Sequence, residues 1–223
     1  IIKEGEDAIQ RYRASLAGER QPLNEARMLL VGDGAAGKTS LMKRLLGEPF
    51  DEDQSQTHGI NIRRWDVGLP SSNGAAGGDE IRAHLWDFGG QEIMHATHQF
   101  FLSKRSLYIV VLDGRRDEQP EYWLKHVQSF GGDSPVLVVL NKHDENPGYD
   151  VQPRALRRKY PNIVGFYPLS CKTDYGLEDL KAEIKDTLAG LNMRRMPFAE
   201  NWGRVKAGLA DMERDYIRLE EFR

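Results

Sequence analysis

The chain has 223 residues, with 31 basic and 34 acidic side chains and a formal net charge of −3. That length suits one α/β domain with short extensions, and the near balance of charge gives no reason to expect nucleic acid or an anionic membrane as a partner. The single cysteine, Cys171, excludes an intrachain disulfide and a zinc site built from cysteines, which favours a cytoplasmic location.

The ends of the chain carry no sign of a membrane anchor or an export signal. No apolar run approaches the roughly twenty residues needed to cross a bilayer. The start, I-I-K-E-G-E-D, lacks the layout of a secretory signal, and the C-terminal R-L-E-E-F-R has no prenylation box. Because the first residue is not methionine and the last residues have a helical pattern, we interpret the chain as a fragment of a longer protein.

The first elements in chain order are a helix, a strand and a second helix. Apolar residues at helical spacing predict an amphipathic helix over 4–17, within a linker helix segment assigned to residues 1–24. A short apolar strand at 28–31 is followed by a glycine-rich turn and by a helix with Leu41 and Leu45 on one face. Strands at 60–67 and 81–86 should then be joined by a glycine- and serine-rich tip.

Three further strand and helix units complete a domain assigned to residues 25–190. Strands are predicted at 107–112, 136–140 and 163–169, each followed by a helix. This alternation implies an α/β fold with a mainly parallel six-stranded sheet and helices on both faces, in which the pair joined by the tip is the antiparallel exception. Residues 191–223 are predicted to be a C-terminal linker helix leading into a further domain.

A phosphate-binding loop is the strongest motif in the sequence. It has the pattern G-x-x-x-x-G-K-T after a predicted strand and at the start of a predicted helix, where backbone N–H groups can surround phosphate oxygens. We expect Lys38 to reach the β- and γ-phosphates and Thr39 to offer its hydroxyl to Mg²⁺. A glycine-rich turn without a ligand is the alternative. The predicted phosphate-loop residues are Gly32, Asp33, Gly34, Ala35, Ala36, Gly37, Lys38, Thr39 and Ser40.

Two later motifs predict which base is bound. Asn141, Lys142 and Asp144 have the N-K-x-D spacing after a buried strand, and Asp144 can accept hydrogen bonds from guanine N1–H and its exocyclic amine. Adenine has no matching donors, so a buried carboxylate would discriminate against it. A polar turn is the alternative explanation. Residues Ser170, Cys171 and Lys172 resemble the S-A-K sequence that lies behind the guanine in nucleotide-binding domains of this superfamily, with cysteine in place of alanine.

The sequence D-F-G-G-Q-E after the 81–86 strand resembles the D-x-x-G-Q motif of Ras-like GTPases. The resemblance implies a Ras-like P-loop GTPase fold in which Asp87 holds Mg²⁺ through water, Gly90 donates its N–H to the γ-phosphate and Gln91 orients the attacking water. Thr57 matches the switch threonine that closes on Mg²⁺ and the γ-phosphate, with Ser55 as the alternative two residues away.

The resemblance narrows to the Roc domain of Roco proteins. The resemblance rests on five sequence segments: W-D-F-G-G-Q-E, T-H-Q-F-F, T-H-G-I-N-I, N-K-H-D and, near the C-terminus, W-x-x-V-K. In that family a Ras-like domain lies between leucine-rich repeats and a COR domain, and the proteins are described as dimers. The resemblance therefore implies COR and leucine-rich-repeat domains in the same full-length chain, and a homodimer of that chain.

The predicted function is a molecular switch that binds GTP and GDP with Mg²⁺. Lys38, Thr57 and Gln91 are the predicted catalytic residues of a slow hydrolysis that regulates a larger protein. No arginine finger can be chosen among the arginine doublets, so a partner would have to supply one. Two alternatives stay open: a pseudo-GTPase that binds nucleotide as an interaction or dimerisation scaffold, and a P-loop ATPase.

Overall fold

The structure is a computed structural model that describes residues 10, 20–22, 24–68, 80–89, 106–115, 120–191, 197–199 and 208. Contacts group the chain into two units. One spans Asn24–Leu191, and the other consists of Ile1–Leu23 with Asn192–Arg223. Within the described residues, no helix has the length and apolar character required to span a membrane.

The described part of the terminal unit is a small antiparallel sheet. Strand β1 (Arg20–Pro22) pairs with strand β8 (Pro197–Ala199). The sequence did not predict this sheet, because strands of three residues are too short to show a periodic pattern. Almost all of the two predicted linker helices, and the predicted tip over 69–79, lie outside the described residues.

A six-stranded sheet forms the centre of the larger unit. Its strands are β2 (Glu25–Val31), β3 (Ile60–Gly68), β4 (Glu80–Phe88), β5 (Leu107–Asp113), β6 (Val136–Asn141) and β7 (Ile163–Pro168). Their order in the sheet is β3-β4-β2-β5-β6-β7. Strands β3 and β4 are antiparallel and all other neighbours are parallel, as the sequence predicted.

Helices cover both faces of this sheet. Helices α1 (Lys38–Leu45) and α4 (Leu177–Gly190) contribute side chains to one buried cluster with the sheet. Helices α2 (Pro120–Gly131) and α3 (Pro153–Lys159) contribute to the cluster on the other face. Every residue of β5 and β6 is buried, which explains why these strands are apolar along almost their whole length.

The register of the parallel strands brings several chemically important residues to one edge of the sheet. Leu30 of β2 pairs with Asp87 of β4, and Asp113 of β5 pairs with Asn141 of β6. The loops that leave these strands therefore emerge side by side. Because the helices after β2 and β5 pack on opposite faces, a cleft opens at this carboxyl edge, where open α/β sheets bind their ligands.

Candidate functional site

The glycine-rich loop between β2 and α1 lies close to two neighbouring strands. A Cβ added to Gly32 would lie 2.1 Å from the carbonyl oxygen of Val111, and one added to Gly37 would lie 2.2 Å from Nδ2 of Asn141. Both glycines also have positive φ, at 149° and 97°. These positions need glycine because the loop passes against the backbone of β5 and the end of β6.

Lys38 begins α1 and is only 6% exposed. Its ammonium donates hydrogen bonds to the carbonyl oxygens of Gly32 and Asp33, each at 2.8 Å. The positive charge is thus held inside the glycine-rich loop, at the N-terminal end of a helix. A helix N-terminus, a turn of backbone N–H groups and a buried ammonium together form a site for a phosphate group.

Three oxygen-bearing side chains from separate segments meet beside this loop. Oγ1 of Thr39 donates to Oδ2 of Asp87 at 2.6 Å and lies 2.8 Å from Oγ1 of Thr57. Oγ1 of Thr57 also donates to Oδ2 of Asp87, at 3.3 Å. Of the two residues considered for this position, Thr57 is the one that reaches Thr39 and Asp87. Ser55, two residues earlier in the chain, also lines the cavity.

The carboxylate of Asp87 has spare coordinating capacity. Its Oδ1 atom is buried and has no hydrogen-bond partner among the residues that the structure describes. Burial raises the pKa of this carboxyl, although hydrogen bonds from Thr39 and Thr57 and the charge on Lys38 act in the opposite direction. An unpartnered carboxylate oxygen with two hydroxyls beside it is a donor set of the kind that Mg²⁺ prefers, so these residues fit that ion.

Asn141 joins three loops through one amide side chain that is only 2% exposed. Its Nδ2 donates to the carbonyl oxygen of Ala36 at 2.9 Å, and its Oδ1 accepts from the backbone N–H of Cys171 at 3.3 Å. The glycine-rich loop, the 141–144 loop and the 170–172 loop are thus connected through a buried group. Their relative positions are fixed by hydrogen bonds rather than by chain connectivity.

Lys142 turns back towards the glycine-rich loop from a left-handed backbone conformation, with φ of 62°. Its ammonium donates to the carbonyl oxygen of Ala35 at 2.7 Å and to Oδ2 of Asp113 at 2.6 Å. Burial raises the pKa of the Asp113 carboxyl, but hydrogen bonds from Arg115 and Lys142 lower it by more, to about 2. Asp113 is therefore a carboxylate at physiological pH.

Lys38 and Asp144 open onto the same cavity, which has a volume of about 680 Å³. That size lies within the range of small-molecule sites in proteins. Among the predicted residues that the structure describes, Gly32, Asp33, Ala36 and Ser170 add no surface to the cavity. Those that line it are Gly34, Ala35, Gly37, Lys38, Thr39, Ser40, Thr57, Asp87, Asn141, Lys142, Asp144, Cys171 and Lys172.

The 170–172 loop closes one side of the cavity. Oγ of Ser170 is buried and accepts from the backbone N–H of Thr173 at 3.1 Å, which shapes the turn. Burial raises the pKa of the Cys171 thiol to about 12, so the thiol is neutral. Nζ of Lys172 lies 2.5 Å from Oε1 of Glu52, and the two side chains are 55% and 66% exposed. This exposed ion pair spans the rim of the cavity.

Two predicted residues are not among those that the structure describes. Gly90 and Gln91 lie in the stretch between Gly89 and Ser106 for which no placement is described. The roles predicted for the Gly90 N–H and the Gln91 side chain therefore stay predictions. Asp87, three residues before Gly90, is described and faces the cavity.

Several residues that the sequence reasoning did not assign also line the cavity, among them Phe50, Gln54, Arg115 and Glu145. Phe50 is a single aromatic residue at the start of a polar stretch, and this contrast was the only feature of the sequence that could have indicated its place in the cavity. Arg115 forms an ion pair with Asp113 at 3.0 Å. Asp113 ends a buried strand at the same edge as Asn141, and that position could have identified it.

The chain is similar to known proteins both at the level of a family and at the level of individual relatives. A family profile described as "Ras of Complex, Roc, domain of DAPkinase" matches residues 27–144. The matched range contains the glycine-rich loop, Thr57, Asp87 and the whole N-K-x-D sequence. It covers more than half of the chain.

A solved structure of Methanosarcina barkeri Roco2 RocCORdC bound to GDP superimposes with a TM-score of 0.80 and 55% sequence identity, over 95% of this chain and 63% of that chain. A "Roc-COR-CHAT protease" of Runella zeae is 29% identical over 91% of this chain and 24% of its own length. "Probable serine/threonine-protein kinase roco5" of Dictyostelium discoideum is 31% identical over 82% of this chain and 8% of its own length. The chain thus spans a small part of these curated relatives.

Proposed function

Because the chain belongs to the Roc family, we propose that it is a molecular switch that binds GTP and GDP with Mg²⁺ and slowly hydrolyses GTP to GDP and phosphate. The observation that carries the proposal is that Lys38, the Thr39, Thr57 and Asp87 group, and Asp144 all line one cavity. A phosphate site, a set of oxygen ligands and a base-recognition carboxylate at one sheet edge are the parts that a nucleoside triphosphate requires. The Roco2 relative, whose structure is described as bound to GDP, supports the same ligand.

Recognition of guanine is assigned to Asp144. Asp144 lines the cavity and is exposed rather than buried as the sequence analysis expected, and its carboxylate would accept from the N1–H and the exocyclic amine of a guanine that covers it. An adenine nucleotide would leave the carboxylate without these donors, at a cost of several kcal/mol, which is the reason to favour a GTPase over an ATPase. Cys171 and Lys172 line the cavity in the adjacent loop and would lie behind the base.

Catalysis is assigned mainly to positioning and to charge. Lys38 and the backbone N–H groups of the glycine-rich loop would hold the phosphates. Oxygens of Thr39, Thr57 and Asp87 would hold Mg²⁺, which supplies positive charge beside the phosphate groups when bound. We assign Gln91 to the orientation of the attacking water. Hydrolysis would be slow because no arginine is assigned to the transition state.

The switching element would be the loop over residues 50–57 together with Gly90. Asp51, Glu52 and Asp53 are exposed, and Thr57 is the residue by which this loop reaches Asp87. If Thr57 and Gly90 both bind the γ-phosphate region, GTP would hold this surface in one arrangement and hydrolysis would release it. Other parts of the protein would respond to that change.

The proposal extends to the longer protein in which this domain would act. Relatives named as a Roc-COR-CHAT protease and as a leucine-rich repeat kinase support COR and leucine-rich-repeat domains in the full-length chain. We assign residues 25–190 to the Roc domain and residues 1–24 and 191–223 to linkers, the second leading into a COR domain. A homodimer of the full-length chain and a cytoplasmic location belong to the same proposal.

The proposal is tested by nucleotide binding and single-turnover hydrolysis on the purified chain. GDP should displace a fluorescent GDP analogue, and ATP should not. Phosphate should be released from bound GTP at a slow rate that Gln91→Leu reduces further. Equal release in both proteins, or none in either, would favour a scaffold that binds nucleotide without turnover, and displacement by ATP would favour an ATPase.

A further inference from the structure

Asp113 is a buried charge that none of the assigned nucleotide motifs includes. It is the last residue of β5, is 0% exposed, and pairs in the sheet with Asn141 at the end of β6. A carboxylate at this depth is costly unless charged partners and hydrogen bonds compensate for its lost hydration. The partners of Asp113 therefore identify the contacts that stabilise its buried carboxylate.

One set of partners comes from Arg115, two residues further along the chain. The backbone N–H and Nε of Arg115 donate to Oδ1 of Asp113 at 3.0 and 3.1 Å, and Nη2 donates to Oδ2 at 3.0 Å. Nη1 of Arg115 also lies 3.5 Å from Oε2 of Glu145. These contacts fix the orientation of the Asp113 carboxylate from the side nearer to solvent.

A second partner is Lys142, whose ammonium donates to Oδ2 of Asp113 at 2.6 Å. The same ammonium donates to the carbonyl oxygen of Ala35 at 2.7 Å. Ala35 has a φ of 65°, an unfavourable conformation for a residue with a side chain, in the loop that would bind phosphate. One lysine therefore connects a buried carboxylate to the most exposed residue of the phosphate loop.

We propose that Asp113 is a positioning residue that holds Lys142 on the phosphate loop and thereby slows the release of bound guanine nucleotide. The inference rests on the proposed function, since it concerns the release of the same ligand. Without the Asp113 charge, the ammonium would keep one hydrogen bond to a described residue, the exposed one to the carbonyl oxygen of Ala35, and Lys142 would spend more time in solvent. The phosphate loop and the 141–144 loop would then separate more often, and each separation opens the site.

The first measurement is the rate at which a fluorescent GDP analogue dissociates from the chain after excess GDP is added. Asp113→Asn keeps the shape of the side chain and removes its charge, and it should dissociate about 10-fold to 100-fold faster, as expected for the loss of a charge-assisted hydrogen bond. Asp66→Asn is a matched control, since Asp66 forms an ion pair on β3 and does not line the cavity. It should match the native rate.

A double-mutant cycle with Lys142→Met separates positioning from a general structural effect. If Asp113 acts through Lys142, the double variant should release GDP at the same rate as Lys142→Met alone. Effects that multiply would show that Asp113 acts independently of Lys142, which would overturn the inference. Thermal unfolding of each variant identifies any protein that does not fold.

The remaining outcomes also decide the question. A native rate in Asp113→Asn would overturn the inference while the native chain still binds GDP, so the proposed function would stand. If Asp113→Asn does not fold, Lys142→Met alone must accelerate release, and an unchanged rate would overturn the inference. Failure of the native chain to bind GDP would remove both proposals.

Discussion

Two walls of the cavity differ in how they are held. The fixed wall consists of residues 32–39, 141–144 and 170–172, and buried groups such as the Asn141 amide connect its three loops. The loop wall consists of residues 50–57, and most of its side chains are exposed. Among the described residues, Thr57 contacts the fixed wall through Thr39, and Glu52 forms an ion pair with Lys172 at the rim. Phe50 packs against the buried cluster that contains Ala36 and Cys171.

This difference assigns separate tasks to the two walls. Buried hydrogen bonds have high local stability, so we expect the fixed wall to present the same surface whether or not a nucleotide is bound. A few exposed polar contacts can break at low cost, so the loop wall can respond to what occupies the cavity. Substitutions in the fixed wall should therefore change affinity for all guanine nucleotides, and substitutions in the loop wall should distinguish GTP from GDP.

Lys38→Ala should have the largest effect. It removes the buried ammonium of the phosphate loop, and we expect GDP and GTP affinity to fall by about 100-fold or more, as for the loss of contacts to a charged group. Titration with a fluorescent GDP analogue measures the change, with Lys43→Ala, on the same helix but outside the cavity lining, as the control. Binding of native strength would contradict the assigned phosphate site.

Asp144→Asn should change which base is bound. The amide cannot accept from both guanine donors, but it can donate to the 2-oxygen of xanthine, so GDP affinity should fall by about 10-fold to 100-fold and xanthosine diphosphate affinity should rise. Competition between the two nucleotides measures the shift. Parallel losses for both nucleotides would show that Asp144 only stabilises the fixed wall.

Thr57→Ala tests the loop wall. It removes the hydroxyl that lies 2.8 Å from Thr39 Oγ1, and we expect GTP affinity in Mg²⁺ to fall by about 10-fold while GDP affinity changes little. The matched control is Ser55→Ala, which truncates the neighbouring candidate. An equal loss for GTP and GDP would mean that the loop wall does not distinguish the two nucleotides.

The ion pair between Lys172 and Glu52 should have the smallest effect. Exposed ion pairs contribute little, so Glu52→Gln should speed GDP release by roughly twofold at low salt, and by less as salt is added. Stopped-flow measurements at two salt concentrations test this. A large, salt-independent effect would show that the rim is held as firmly as the fixed wall, and the comparison between the walls would fail.

The sequence predicted most of the fold, and most of the described residues that it singled out line one cavity, because both signals are local. The G-x-x-x-x-G-K-T and N-K-x-D motifs each lie within one loop, and buried parallel strands are apolar throughout, so the six-stranded sheet and its antiparallel pair were both predicted correctly. The β1 and β8 strands were missed because three residues show no period. A pairing between the two ends of the chain leaves no local signal either.

The role of Asp113 could not be predicted for a different reason. The letters V-V-L-D indicate a buried strand that ends in a carboxylate, but its partner Lys142 is 29 residues away and reaches it only because β5 and β6 are neighbours in register. Phe50 is similar, since only the fold brings that ring to a cavity formed by later loops. The residue types indicated which side chains could bind a ligand or form an ion pair, but the order of the strands in the sheet determined which of these side chains lie close together.

The Asn141 side chain has a consequence for local opening. The amide of Asn141 is hydrogen-bonded to both the Ala36 carbonyl and the Cys171 N–H. If one of these hydrogen bonds breaks, a buried polar atom loses its partner, and the amide can regain hydrogen bonds only by turning towards water, which breaks the second bond as well. We therefore expect the three loops to open locally as one cooperative unit. Proton exchange at the Cys171 amide would then report the opening of a phosphate loop more than 130 residues away in the chain.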